Sequence, residues 1–200
     1  NSILDATGGG TKFLHAAYLR GGVSNMTFNN VQFKNTPGGG IHIYNSRAEL
    51  AAPRDIVFNN CSIDNTRAAV YLYSNASNIS FNNLSIKNSG VGFKVNGANN
   101  IKMNGVNLTQ ASSTKEEKGG FSLNNLKYAQ LNNVTVDGSG MAGSVFAVIG
   151  SVSDVIATNF NATNIGGIPF TNNSSAVKSM TAVNLAISSS YSTGYKILAQ

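Results

Sequence analysis

Four short segments carry chemically capable side chains at every second position: AAYLR from Ala16, GIHIY from Gly40, AVYLY from Ala69 and VGFKV from Val91. Alternation of this kind is strand periodicity, in which successive side chains point to opposite faces. One parity is apolar and faces inward: Ala17 and Leu19, Ile41 and Ile43, Val70 and Leu72, Phe93 and Val95. The other parity faces outward: Tyr18 and Arg20, His42 and Tyr44, Tyr71 and Tyr73, Lys94 and Asn96. Aromatic faces stack on sugar rings, and cations pair with carboxylates. Arg67, in the turn before Val70, is placed to reach the same face. The competing reading is that tyrosines simply cover a sheet, since aromatics fit pleated surfaces.

These segments need elements that hold them side by side. A repeated motif supplies them: apolar, any, apolar, Asn, Asn, apolar, any, apolar. It begins at Met26, Ile56, Ile79, Ile101, Ala129, Val155 and Met180, with spacings of 30, 23, 22, 28, 26 and 25 residues. Two short strands flank the Asn pair, and a third follows a Gly-rich turn. Three short strands make no core alone, but stacked units do, each strand pairing in parallel with its equivalent one unit along at about 4.8 Å. Parallel crossovers are right-handed almost without exception. The expected fold is all-β, a right-handed parallel β-helix of seven to eight coils, forming a single domain over residues 1–200.

The second Asn of the motif recurs as Asn30, Asn60, Asn83, Asn133, Asn159 and Asn184, with Gly105 the one gap. Asn tolerates the left-handed conformation of a sharp bend. Stacked Asn side chains can bond coil to coil, satisfying amides that this reading places in the interior. The sequons at Asn60, Asn83 and Asn133 are then by-products of the ladder, because buried amides are poor glycan acceptors.

Composition agrees. The chain is 42% hydrophobic but only 11% charged, so its polar surface is Asn, Ser, Thr and Gly, as in β-rich extracellular proteins. Net charge is +6 and pI about 9.5, which permits an acidic partner. The Lys and Arg residues are scattered, so no nucleic-acid partner is expected. No apolar run reaches the roughly 18 residues of a membrane helix, so no membrane partner is expected. Cys61 is the single cysteine, and its place opposite Val31 and Leu84 predicts a buried core residue.

The FNN bend and its Asn ladder resemble the pectate-lyase-like superfamily of right-handed parallel β-helices, over about residues 13–198. That superfamily holds polysaccharide lyases, hydrolases, epimerases, phage tailspikes and adhesins. The resemblance implies a substrate groove along the strand after the Gly-rich turn, and a location that is secreted, on the cell surface or on a virion. No capping helix is visible and YKILAQ stops mid-strand, so a fragment, or a domain lacking one or both caps, is expected.

Glycoside hydrolysis needs two carboxylates about 5–9.5 Å apart. None of the eight Asp and Glu lies on the outward face. No carboxylate cluster is present for calcium, so no cofactor is expected, calcium staying open as the one candidate ion. The remaining chemistry is metal-independent β-elimination on an acidic, uronate-containing polysaccharide. Tyr44 or Tyr73 would act as base or acid and Lys94 as alternative base. His42, Arg20 and Arg67 would offset the substrate carboxylate, and Tyr18, Tyr71 and Asn96 would bind it. Two long excursions, Asn45–Asp55 and Thr109–Gly120, would wall the groove. The second reading is a non-catalytic structural or adhesive shaft. The flat outward column Gln32, Ser62, Ser85, Asn107, Thr135 would suit a tailspike-like homotrimer, or plain solvent.

Overall fold

The computed structural model describes residues 1–7, 13–109, 119–139, 143–165, 170–172 and 180–189. Among them are twelve strands and no helix: β1 (Ser2–Asp5), β2 (Ala17–Arg20), β3 (Ser24–Asn29), β4 (Val31–Tyr44), β5 (Arg54–Asn59), β6 (Ser62–Lys87), β7 (Val91–Thr109), β8 (Gly119–Asp137), β9 (Phe146–Val148), β10 (Val152–Ile165), β11 (Phe170–Asn172) and β12 (Met180–Ser189). Every strand pairing is parallel, and the main path runs β1-β4-β6-β7-β8-β10-β12. The result is a β-solenoid of about six turns, against the seven to eight coils expected. Toward the two ends the strands shorten, β1 to four residues and β11 to three.

The register follows the repeat. Met26 pairs with Ile56, Ile56 with Ile79, Ile79 with Ile101, Ile101 with Ala129, Ala129 with Val155, and Val155 with Met180. Like therefore stacks on like. Phe28, Phe58 and Phe81 form one column, with centroids 4.9 and 5.1 Å apart and rings 8° from parallel. Phe93, Phe121 and Phe146 form another, at 5.3 and 5.1 Å. Burying each such ring is worth about 1.5–3 kcal/mol. Cys61 lies buried in the core, with burial raising its thiol pKa.

The long strands turn corners every five residues. Left-handed backbone occurs at Asn25, Asn30 and Asn35, at Asp55, Asn60 and Asn65, at Asn78, Asn83 and Asn88, and at Asp154, Asn159 and Asn164. The FNN column is the middle one of three. Asn83 donates to Asn60 at 3.0 Å, Asn159 to Asn133 at 3.0 Å and Asn184 to Asn159 at 2.9 Å. The outer columns do the same: Asn100 donates to Asn78 at 2.7 Å, and Asn65 to Asn35 at 3.2 Å.

The FNN amides are exposed, contrary to the buried ladder expected from the sequence, and Asn35 and Asn100 of the outer columns are half-buried. A residue in the left-handed conformation at a convex corner turns its side chain out of the coil. The amides are therefore tied to one another along a solvent-lined edge. Burial therefore gives no reason to discount their sequons.

No helix of the described residues is long and apolar enough to cross a membrane.

Candidate functional site

The strand after the Gly-rich turn is built as its alternation requires. Tyr18 pairs with His42, His42 with Tyr71, Tyr71 with Lys94, and Lys94 with Ser122. Beside this column run Arg20 with Tyr44, and Tyr73 with Asn96. The inward parity, from Ala17 to Val95, is buried. The face therefore stands on a rigid sheet, which suits precise positioning better than a loop would.

His42 is the hub of the outward side chains. Its ring centroid lies 5.0 Å from Tyr18, 5.6 Å from Tyr44, 5.1 Å from Tyr71 and 5.6 Å from Tyr73. Tyr44 and Tyr73 approach edge to face at 6.4 Å. Lys94 Nζ sits 6.0 Å from the centre of the Tyr71 ring, within cation–π range. Tyr18 is 46% exposed, and Tyr44 and Tyr73 are half-buried.

Tyr71 differs from expectation. It occupies the outward column but is only 6% exposed, packed with Ala68 and Val91. Its ring lies over the backbone of Gly39, where the missing side chain leaves room. It forms the floor of the patch.

His42 differs too. Burial, and then the neighbouring His15, lower its pKa to about 4. At neutral pH it is uncharged, so it can meet a carboxylate only as a hydrogen-bond donor and not as a cation. The positive charge of the face resides in Arg20 and Lys94.

Arg20 is exposed at the edge, where its Nε donates to Ser46 Oγ at 2.9 Å. Ser46 belongs to the excursion after Tyr44. That excursion is tied to the turn after β2, where Gly22 N–H donates to the Ala51 carbonyl at 2.7 Å, and is closed on itself by Asn45 Nδ2 donating to the Leu50 carbonyl at 2.9 Å. It thus borders the Arg20 end of the face. Most of the second excursion, Thr109–Gly120, lies outside the described residues. Asn96 is exposed and accepts from Asn124 Nδ2 at 2.9 Å, as part of another corner ladder. Arg67 is half-buried at the start of the same stretch.

One member of the cluster was missed by the sequence reading. His15 lies 4.2 Å from His42, 5.6 Å from Tyr18 and 6.0 Å from Tyr71, centroid to centroid. Strand parity counts it inward, since Tyr18 and Arg20 set the outward positions. It precedes β2, where that parity does not hold. Its hydrogen bonds with Gly39 and His42 tie it to the next coil.

No cluster of three or more potential metal-ligating His, Cys, Asp or Glu side chains occurs among the described residues.

No family model matches the chain, and no curated protein matches it. Among solved structures, the chain is similar to the Streptococcus pneumoniae surface protein and adhesin PfbA, at 13% identity and a TM-score of 0.34. The likeness covers 83% of this chain and 58% of PfbA. Similarity at that level says nothing of activity, partners or location, and the solenoid fold stands on the strand registers themselves.

Proposed function

We propose that this chain is a glycan-binding β-solenoid, an adhesive surface element that holds a polysaccharide along its tyrosine face outside the cell or on a virion. One observation carries the reading: His42 and the rings of Tyr18, Tyr44, Tyr71 and Tyr73 form one contiguous patch across three successive coils. A ridge of rings on a rigid sheet suits the repeated flat faces of a sugar polymer. Arg20 and Lys94 favour acidic polymers. The FNN bends and their Asn ladders support a place in the pectate-lyase-like superfamily. The small polar column from Gln32 to Thr135 leaves room for a homotrimer.

A second reading rests on Lys94 beside Tyr71 and on the two phenols of Tyr44 and Tyr73. Together they could carry β-elimination of a uronate polymer. Lys94 or a tyrosinate takes the proton next to the carboxylate. A carbon–carbon double bond forms as the glycosidic C–O bond breaks, and a tyrosine O–H protonates the departing oxygen. Arg20 or Arg67 would offset the carboxylate. With His42 neutral, this reading has one cation fewer than the sequence alone suggested.

The test is a panel of alginate, polygalacturonate, chondroitin sulfate, hyaluronan and neutral glycans. Binding is measured by calorimetry, and products by unsaturated-uronate absorbance and new reducing ends. Binding without products is the expected result. Rising absorbance, lost in Tyr44→Phe or Lys94→Ala, would replace it with the lyase reading. Reducing ends without absorbance would mean hydrolysis and overturn both. No binding to any polymer would overturn the glycan reading.

A further inference from the structure

His15 and His42 stand ring to ring in the centre of the tyrosine face, with planes 73° apart. Their hydrogen bonding has a direction. The Gly39 N–H can only donate, and it donates to His15 Nδ1 at 2.7 Å. That nitrogen therefore carries no proton, and the neutral ring holds its proton on Nε2. His15 Nε2 lies 2.8 Å from His42 Nδ1. His15 is thus the donor and His42 Nδ1 the acceptor, which leaves the His42 proton on Nε2. Burial lowers the pKa of both rings, in keeping with two neutral imidazoles. His42 Nε2 is itself buried and has no hydrogen-bond partner among the described residues. A buried donor without an acceptor costs free energy that an arriving oxygen would restore.

We propose that His15 is a positioning residue: through the chain Gly39 N–H to His15 to His42 it locks His42 as a neutral Nε2–H donor, the polar anchor for an acceptor oxygen of the bound glycan. The anchor half rests on the glycan-binding reading above, whereas the relay stands apart from it. A neutral donor serves a sugar hydroxyl or ether oxygen as readily as a carboxylate. The centre of the face therefore selects for sugar oxygens, and any preference for acidic polymers falls to Arg20 and Lys94. Occupation of Nε2 requires the surrounding rings to part; Tyr18, 46% exposed, is the outermost of them.

The experiment reads both histidines by two-bond proton–nitrogen NMR at pH 7, beside glycan titrations and thermal unfolding as a folding control. Wild type should show the Nε2–H tautomer at His15 and at His42. In His15→Phe the His42 tautomer should become mixed, and glycan affinity should fall about tenfold. His15→Gln keeps an amide N–H that can reach His42 Nδ1, and should restore the tautomer and most of the affinity. A wild-type His42 carrying its proton on Nδ1, or charged at pH 7, would overturn the relay. Equal affinity of wild type and a folded His15→Phe would overturn the anchor. A wild type that binds no glycan overturns the reading of the face, while the spectra alone still decide the relay.

Discussion

The ring of Tyr71 lies against the backbone of Gly39, so close that a Cβ on Gly39 would sit 2.6 Å from Tyr71 Cδ2 and 3.1 Å from His15 Nδ1. The whole aromatic cluster is seated on this contact between neighbouring coils. Gly39→Ala should push out Tyr71 and His15 together. Overpacking of this kind costs about 1–3 kcal/mol. With no tryptophan in the chain, the emission is tyrosine emission, and four of the seven tyrosines lie in the patch. The expected result is a lower denaturation midpoint and a changed tyrosine signal. An unchanged midpoint and spectrum would show that the patch does not depend on this seat.

Tyr128 breaks the corner chemistry. It has left-handed backbone (φ 56°) in the column otherwise formed by Asn25, Asp55, Asn78, Asn100 and Asp154. A bulky side chain there is strained by about 1–2 kcal/mol, which Asn largely avoids. Tyr128→Asn removes that strain and places an amide beside Asn100. It loses the exposed contact between Lys127 Nζ and the Tyr128 ring, 4.7 Å apart, worth about 0.5–1 kcal/mol. The net expectation is a gain of roughly 0.5–1 kcal/mol. At a regular corner, Asn83→Ala loses the bond to Asn60 and the polar side chain that lets Asn tolerate φ 55° while keeping the Cβ, for a loss of about 1.5–2.5 kcal/mol. Asn83→Gly should lose less. Urea unfolding of the three variants checks the order; a destabilised Tyr128→Asn would mean that the tyrosine ring does more in the fold than strain its corner.

Acid should weaken the fold in a window set by His42. An unfolded histidine takes its proton near pH 6.5, whereas folded His42 resists until about pH 4. Between these values the unfolded chain binds more protons, so stability is complete above pH 6.5 and falls as the pH drops toward 4. His42 is only part-buried, so solvent screening reduces the effect to about 1–2 kcal/mol. The groups packed around it are His15, whose pKa is lowered in the same direction, and the four tyrosines. Asp5, held near pKa 2 chiefly by Thr7, and Asp137, lowered chiefly by Asn164, act only at more acid pH. Melting temperatures from pH 7.5 to 4 should decline in wild type and less steeply in His42→Gln, where only the share of His15 is left. Parallel curves for the two would overturn the assignment.

Much of the site was legible because parallel stacking turns spacing along the chain into columns in space. The alternation in GIHIY and AVYLY was enough to place His42, Tyr44 and Tyr73 on one outward face. Alternation predicts direction but not depth, so it could not foresee that Tyr71 is covered. The middle Asn column was read as a ladder from FNN, while its companions five residues either side were not read as bends, although NISFNNLSIKN contains all three.

Strand parity, the turn chemistry of Asn and the recurrence of one motif determined the solenoid, its inward columns and the composition of its outward face. These are properties of residues near one another in sequence, repeated. The tertiary structure alone decided that His15 joins His42, that His42 is neutral at pH 7, that Tyr71 is buried over Gly39 and that the corner amides stand in solvent. Each of those depends on a contact with the next coil, about 22–30 residues away. There a few tenths of an ångström, and the exclusion of water, set both the proton and the exposure.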